Sequence, residues 1–169
     1  MDKITKKPLV GILMGSDSDL PVMEKAAEVL KEMGVPYEIE ISSAHRLADR
    51  TAEYARTARG RGVEVIIAGA GMAAHLAGVI AAHTTLPVIG VPIKSGALNG
   101  VDALYSTVQM PPGVPVATVA IDGAKNSAYL ACSVLSIKYP EVVGRLDAFR
   151  EKTRQGLMEK SKRLRRKPY

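Results

Sequence analysis

The chain has 169 residues, a length one domain accounts for, and its 47% hydrophobic content fills a single sizeable core but would be strained across two. Aromatic residues make up 4% and tryptophan is absent, so the core is aliphatic and closely packed, which suits a parallel sheet under helices. The formal charge of +6 would point to nucleic acid if it were spread over the body. Ten of the 23 basic residues but only three of the 17 acidic ones lie from Arg145 onward, so the first 144 residues sit near neutrality and the charge belongs to the tail.

Lys3, Lys6 and Lys7 precede no long apolar segment with a small-residue cleavage site, and no run is long enough to cross a bilayer. The expectation is a cytoplasmic protein with no membrane partner, folded as one α/β domain over residues 1–169. Cys132 is the only cysteine and lies in the apolar stretch Tyr129-Leu130-Ala131-Cys132, where it reads as a buried, inert thiol.

Apolar runs of strand length alternate with helix-period segments, the pattern of βαβ units. The first strand is Leu9 to Met14. Gly15-Ser16-Asp17-Ser18-Asp19 follows it, and then a helix with Val22, Ala26, Val29 and Leu30 on one face, Pro21 in its first turn and Gly34 at its end. Tyr37 to Ile41 alternates strictly and predicts an edge strand; Ser42-Ser43-Ala44-His45-Arg46 then turns into a helix that ends near Gly62.

A third strand, Val63 to Ala68, runs into a Gly69-Ala70-Gly71 loop and a helix over Ala73 to Ala82. Pro87 to Val91 is a fourth strand, and a loop from Pro92 to Gly100 leads to another helix. Val114 to Ile121 makes a fifth strand, the next helix covers Ala124 to Ile137, and a charged helix runs from about residue 140 to 165. Five parallel strands with helices on both faces predict a three-layer, flavodoxin-like sandwich.

In such sheets ligands bind beyond the carboxyl ends of the strands, and the polar residues concentrate in three strand-to-helix loops there. Gly15, Ser16 and Ser18 can bring N–H and hydroxyl groups to a phosphate, and Arg46 can add a charged fork. Ser18 and Asp19 can equally be helix caps. Asp19 suits a ribose diol, and Asp17 is left on the surface. His45, in a tight turn of small residues beside a cation, can give or take a proton near neutral pH. His75 either reaches the same cleft or bonds a carbonyl inside the protein. His83 reads as a surface residue. The three histidines lack close ligand spacing, so no zinc site is expected.

Met14-Gly15-Ser16-Asp17-Ser18-Asp19, Ser43-Ala44-His45-Arg46, Ala68-Gly69-Ala70-Gly71 with Ala73-Ala74-His75-Leu76, and Leu104 to Pro111 occur in that order. Together these blocks resemble the N5-carboxyaminoimidazole ribonucleotide mutase family of purine biosynthesis, the class I PurE proteins, from about residue 8 to 140. The resemblance implies a carboxylate moved from an exocyclic nitrogen to an imidazole carbon, with no ATP, biotin, metal or other cofactor. It also implies a homo-octamer whose C-terminal helices pack on neighbouring subunits.

On that resemblance His45 is the general acid and base, Ser16, Ser18, Ser43 and Arg46 hold phosphate, and Asp19 holds ribose. Ala70, Gly71 and Leu76 wall a small pocket for carbon dioxide, and Gly15, Ala44 and His75 complete the substrate-binding set. The loop Pro92 to Asn99 is expected to cover the cleft. Leu47-Ala48 stands where the family has Thr-Pro, Met72 replaces the second glycine of a pair, and Ala77 replaces a proline.

The sister reaction, direct carboxylation of aminoimidazole ribonucleotide by free carbon dioxide, is the alternative activity, and a flavodoxin-like nucleotide-binding module the non-enzyme one. A receiver module is excluded by Gly69 and Asp122-Gly123 at the ends of the third and fifth strands. The first loops offer no aromatic residues for a flavin. The basic run Lys160 to Lys167 reads as a solvated helix end rather than a nucleic-acid site.

Overall fold

A computed structural model describes residues 3–4 and 6–165. Five strands, β1 (Val10–Met14), β2 (Tyr37–Ile41), β3 (Val65–Gly71), β4 (Val88–Ile93) and β5 (Ala117–Thr118), form one sheet in the order β2-β1-β3-β4-β5. Every neighbouring pair is parallel. The six α-helices among the described residues are α1 (Leu20–Glu32), α2 (Ala48–Arg61), α3 (Leu76–Ala82), α4 (Val101–Val108), α5 (Ala124–Leu135) and α6 (Pro140–Arg165).

The period-2 geometry of a strand splits each apolar run between two cores. Val10, Ile12 and Met14 of β1 and Val65 and Ile67 of β3 face α1, α5 and the start of α6. Leu13, Ile66, Ala68 and Ala70 face α2 and α3 on the other side. Burial on both faces explains why β1, β3 and β4 read as unbroken apolar runs while β2 alternates: β2 is the edge, as expected. Among the described residues no helix is long and apolar enough to cross a membrane.

Three strands differ from the expected spans, and one of them is β4, which runs past Val91 to Ile93 and so takes in the first two residues of the expected loop. β3 does not stop at Ala68 but continues to Gly71, because Val91, Pro92 and Ile93 of β4 run beside Gly69, Ala70 and Gly71. β5 shrinks to Ala117–Thr118, since Pro115 carries no N–H to donate and the strand lies at an edge. Its backbone still follows β4 through Val119 N–H to Gly90 O at 3.1 Å and Asp122 N–H to Pro92 O at 2.8 Å.

Helix ends match their sequence signals. Pro21 lies in the first turn of α1, and Gly62 closes α2 in the left-handed conformation at φ 105°. Arg145 of α6 donates from Nη1 to the carbonyls of Met33 at 2.7 Å and Gly34 at 3.2 Å, tying the end of α1 to α6. Cys132 is fully buried, and burial pushes its thiol up to about 11, in keeping with an inert side chain.

Tyr54 of α2 lies across β1 at Gly11, where an added β-carbon would overlap the phenol. Its hydroxyl donates to Glu38 Oε1 at 2.6 Å, and Arg61 stacks over the ring at 4.5 Å while bonding the same carboxylate at 2.9 Å. Gly11→Ala is therefore expected to cost about 2 kcal/mol by overpacking. Tyr54→Phe in the same chain should recover part of that loss in chemical denaturation, and strict additivity of the two changes would remove the steric explanation.

Candidate active site

The carboxyl ends of β1, β2 and β3 open onto a cleft of about 610 Å3, well within the range of small-molecule sites. Its wall comes from Gly15, Ser16, Ser18 and Asp19 after β1, from Ser43 to Arg46 after β2, and from Ala70 to Ala74 with Leu76 at the end of β3. Ser95 after β4 completes it.

The first loop is a turn of 3-10 helix, Asp17–Asp19, capped by Ser16. Asp19 Oδ2 accepts from Ser16 N–H at 3.0 Å, and Ser16 Oγ accepts from Ser18 N–H at 3.4 Å, a reciprocal capping box. The cap is thus Ser16 and not Ser18, and α1 itself has no side-chain cap from Asp19. Capping and cleft lining coexist in the same residues. Asp17 is exposed and accepts from Ser18 N–H at 3.0 Å and from Ser16 Oγ at 2.9 Å.

These bonds correct one expectation about phosphate. The N–H groups of Ser16 and Ser18 serve carboxylates of their own loop, and that of Gly15 bonds Gly69 O at 3.2 Å. An anion in this cleft is left to hydroxyls and to Arg46. Burial raises the Asp19 carboxyl above its ordinary range, opposed by the N–H groups of Ser16 and Gly15; Asp17 adds to the rise and Arg46 works against it.

The second loop is fixed from beneath. Ser42 and Thr51, both fully buried, share a hydroxyl hydrogen bond of 2.8 Å, and Ser42 N–H reaches Met14 O at 2.7 Å. Ser43 Oγ accepts from Arg46 N–H and Arg46 Nε, both at 3.3 Å. Arg46 Nη2 then donates to Gly15 O at 3.0 Å, which locks the second loop to the first and leaves guanidinium donors over for an anion. His45 lines the cleft and is exposed, with Ala44 beside it as a small wall. Leu47 occupies the N-cap of α2 and supplies no capping bond, where a threonine would.

Eleven of the twelve residues expected at the site line this cleft, and His75 does not. Its Nδ1 lies 2.5 Å from Ser106 O, and the ring fills the space above Gly78, where a β-carbon would overlap it. The carbonyl-bonded alternative for His75 is the one observed, and it joins α3 to α4. His83 is half-buried at the end of α3. Among the described residues no three His, Cys, Asp or Glu side chains converge as a metal-holding set.

Met72, Ala73, Ala74 and Ser95 line the cleft without having been assigned to it. Met72 has φ 54°, the left-handed region, and 59% exposure, and its N–H donates to Ser95 Oγ at 2.8 Å. Ser95 Oγ in turn occupies the place a β-carbon on Gly71 would need. The replacement of a family glycine was the one signal for Met72 in the sequence; nothing there singled out Ser95 within its loop.

Three comparisons bear on this site. The family described as AIR carboxylase matches residues 9–156. The chain is 64% identical to the N5-carboxyaminoimidazole ribonucleotide mutase of Pyrococcus horikoshii over 95% of its own length and 90% of that protein. It is 56% identical to the protein of the same name from Bacillus subtilis over 94% and 99%. Among solved structures, Treponema denticola PurE superposes with a TM-score of 0.86 at 32% identity, covering 95% of this chain and 100% of that one.

Two expectations follow from the geometry. The folded chain holds the Asp19 proton more tightly than the unfolded chain, so stability is lost as pH rises from 3.8 through the raised value. Asp19→Asn should remove that loss: its advantage over the parent in urea unfolding grows across this window, and a shrinking advantage would contradict the burial argument. A left-handed backbone costs a residue with a β-carbon about 1–2 kcal/mol, and glycine's own entropic cost is smaller, about 0.5–1 kcal/mol. Met72→Gly is therefore expected to hold or raise the melting temperature and Met72→Val to lower it.

Proposed function

The chain belongs to the AIR carboxylase family, and on that premise we propose that it converts N5-carboxyaminoimidazole ribonucleotide to 4-carboxy-5-aminoimidazole ribonucleotide in purine biosynthesis. The observation that carries this reading is the cleft itself. It puts one histidine, four serines, a guanidinium and a buried carboxylate around a wall of alanine and glycine. The relatives quoted above bear the mutase name, which favours this reaction over direct carboxylation and over a nucleotide-binding module.

The hydroxyls of Ser18 and Ser43 and the free donors of Arg46 bind the phosphate, the Ser16 hydroxyl joins them by turning from Asp17 Oδ1, and Asp19 accepts from the ribose hydroxyls. The heterocycle lies toward His45, with the small residues Ala44, Ala70, Gly71 and Leu76 leaving room for a carbon dioxide molecule. His75 acts from behind this wall as a strut between α3 and α4, not as a substrate ligand.

The chemistry is a proton relay around a bond exchange. When the carbamate N–C bond breaks, its electron pair stays on nitrogen, which takes a proton from the His45 imidazolium, and carbon dioxide is released. The ring carbon, enamine-like, gives its electron pair to that carbon dioxide and becomes tetrahedral. The imidazole of His45 then removes the proton from the ring carbon and returns to its starting state. Nothing is oxidised or reduced, and the balance requires no cofactor.

The assembly is a homo-oligomer, an octamer, formed in the cytoplasm from copies of this chain. Supporting this, Leu98, Val101, Tyr105 and Val108 recur at helical spacing and stay exposed on and just before α4. Beyond the buried Val142 and Leu146, α6 carries Leu157, Met158 and Leu164 to solvent, which fits a helix that packs on a neighbouring subunit. The basic helix end from Lys160 to Arg165 is then its solvated tip. Arg166 and Lys167 lie outside the described residues.

The test is an assay of the carbamate substrate at low bicarbonate beside one of aminoimidazole ribonucleotide plus bicarbonate. Turnover of the first identifies the mutase. His45→Asn should reduce that turnover by at least about 100-fold with the fold intact. Retention of the full rate would end the assignment of His45 as the acid and base.

A further inference from the structure

Carbon dioxide, freed between two bond-making steps, is neutral and makes no strong hydrogen bond, so only shape can hold it beside the ring carbon. The wall around the proposed pocket is built from alanine and glycine, and only two of its lining residues are large and apolar. Leu76 is one, and at 2% exposure it is fixed in the core. Met72 is the other, and it is exposed at the mouth.

The backbone of Met72 is held independently of its side chain. Its N–H is bonded to Ser95 Oγ, and Ser95 is seated in the gap left by Gly71, so the left-handed turn is clamped to the loop after β4. The thioether beyond it is unbranched and turns about three bonds. A rigid backbone with a mobile apolar side chain at a cleft mouth is the arrangement of a flap that admits a large substrate and then shields a small intermediate.

We propose that Met72 is the retention residue of this cleft, its side chain closing the small-residue pocket so that the carbon released from the nitrogen is the carbon captured by the ring. The inference rests on the mutase reading. A glycine there would suit the backbone better, so the methionine is placed at a conformational cost that its side chain must offset by another contribution.

The experiment supplies carbamate substrate labelled with carbon-13 in its carboxylate to the full-length protein in unlabelled bicarbonate, and measures label in the product by mass spectrometry. The parent and Met72→Leu should keep most of the label. Met72→Ala and Met72→Gly should both lose it to solution at least about threefold more often per turnover, with kcat falling less than label retention. Alanine keeps the strained backbone and glycine relieves it, so washout in glycine alone would assign the effect to the backbone and overturn the proposal. So would full exchange in the parent, or equal retention in all four proteins. Thermal unfolding checks that each variant is folded. Failure of the parent to turn over the carbamate at all would instead sink the mutase reading, a separable outcome.

Discussion

β3 ends in Gly69-Ala70-Gly71, and the space that side chains there would fill is taken by others. The Met23 thioether packs where a β-carbon on Gly69 would stand, and Ser95 Oγ takes the corresponding place at Gly71. Because β3 lies between β1 and β4, this bare strand end lets three neighbouring loops approach one point. Larger residues would push α1 away on one side and the loop after β4 on the other, and the cleft would lose two of its walls.

The loops that meet there are cross-braced by polar contacts. Arg46 reaches the carbonyl of Gly15, Ser42 holds Thr51 in the core beneath, and Met72 N–H holds Ser95. Each contact joins segments far apart in sequence or anchors a turn to its following helix. A hydrogen bond of this kind adds only about 1 kcal/mol net, but it fixes a direction, and direction is what a proton donor and a phosphate clamp need.

The same polar groups explain a tension within the site. Asp17 and Asp19 draw the N–H groups of the first loop to themselves, which would otherwise make a backbone cradle for phosphate. Arg46 compensates by bringing positive charge across from the second loop, close enough to oppose the rise of the Asp19 carboxyl. The resulting site divides its labour between hydroxyls and a guanidinium for the phosphate and a buried carboxylate for the sugar. For a reaction that releases and recaptures a neutral gas, the apolar wall matters as much as these charges do.

Hydrophobic period alone determined the sequence of strands and helices, the edge position of β2 and the parallel sheet, because burial on one face or two leaves its mark on every second residue. It also marked His45, Arg46 and the serines, since polar and small residues clustered after apolar runs can only sit at strand ends. The extent of β3 and β5 was not legible, because whether a glycine-rich end pairs or turns depends on the partner strand, here β4. Nor was the division between His45 at the cleft and His75 on the carbonyl of Ser106, since both follow strand ends and only the packing of α3 against α4 separates them. Ser95 and the left-handed Met72 were decided by tertiary structure as well: their contact spans 23 residues, and local sequence carries no record of a hydrogen bond at that separation.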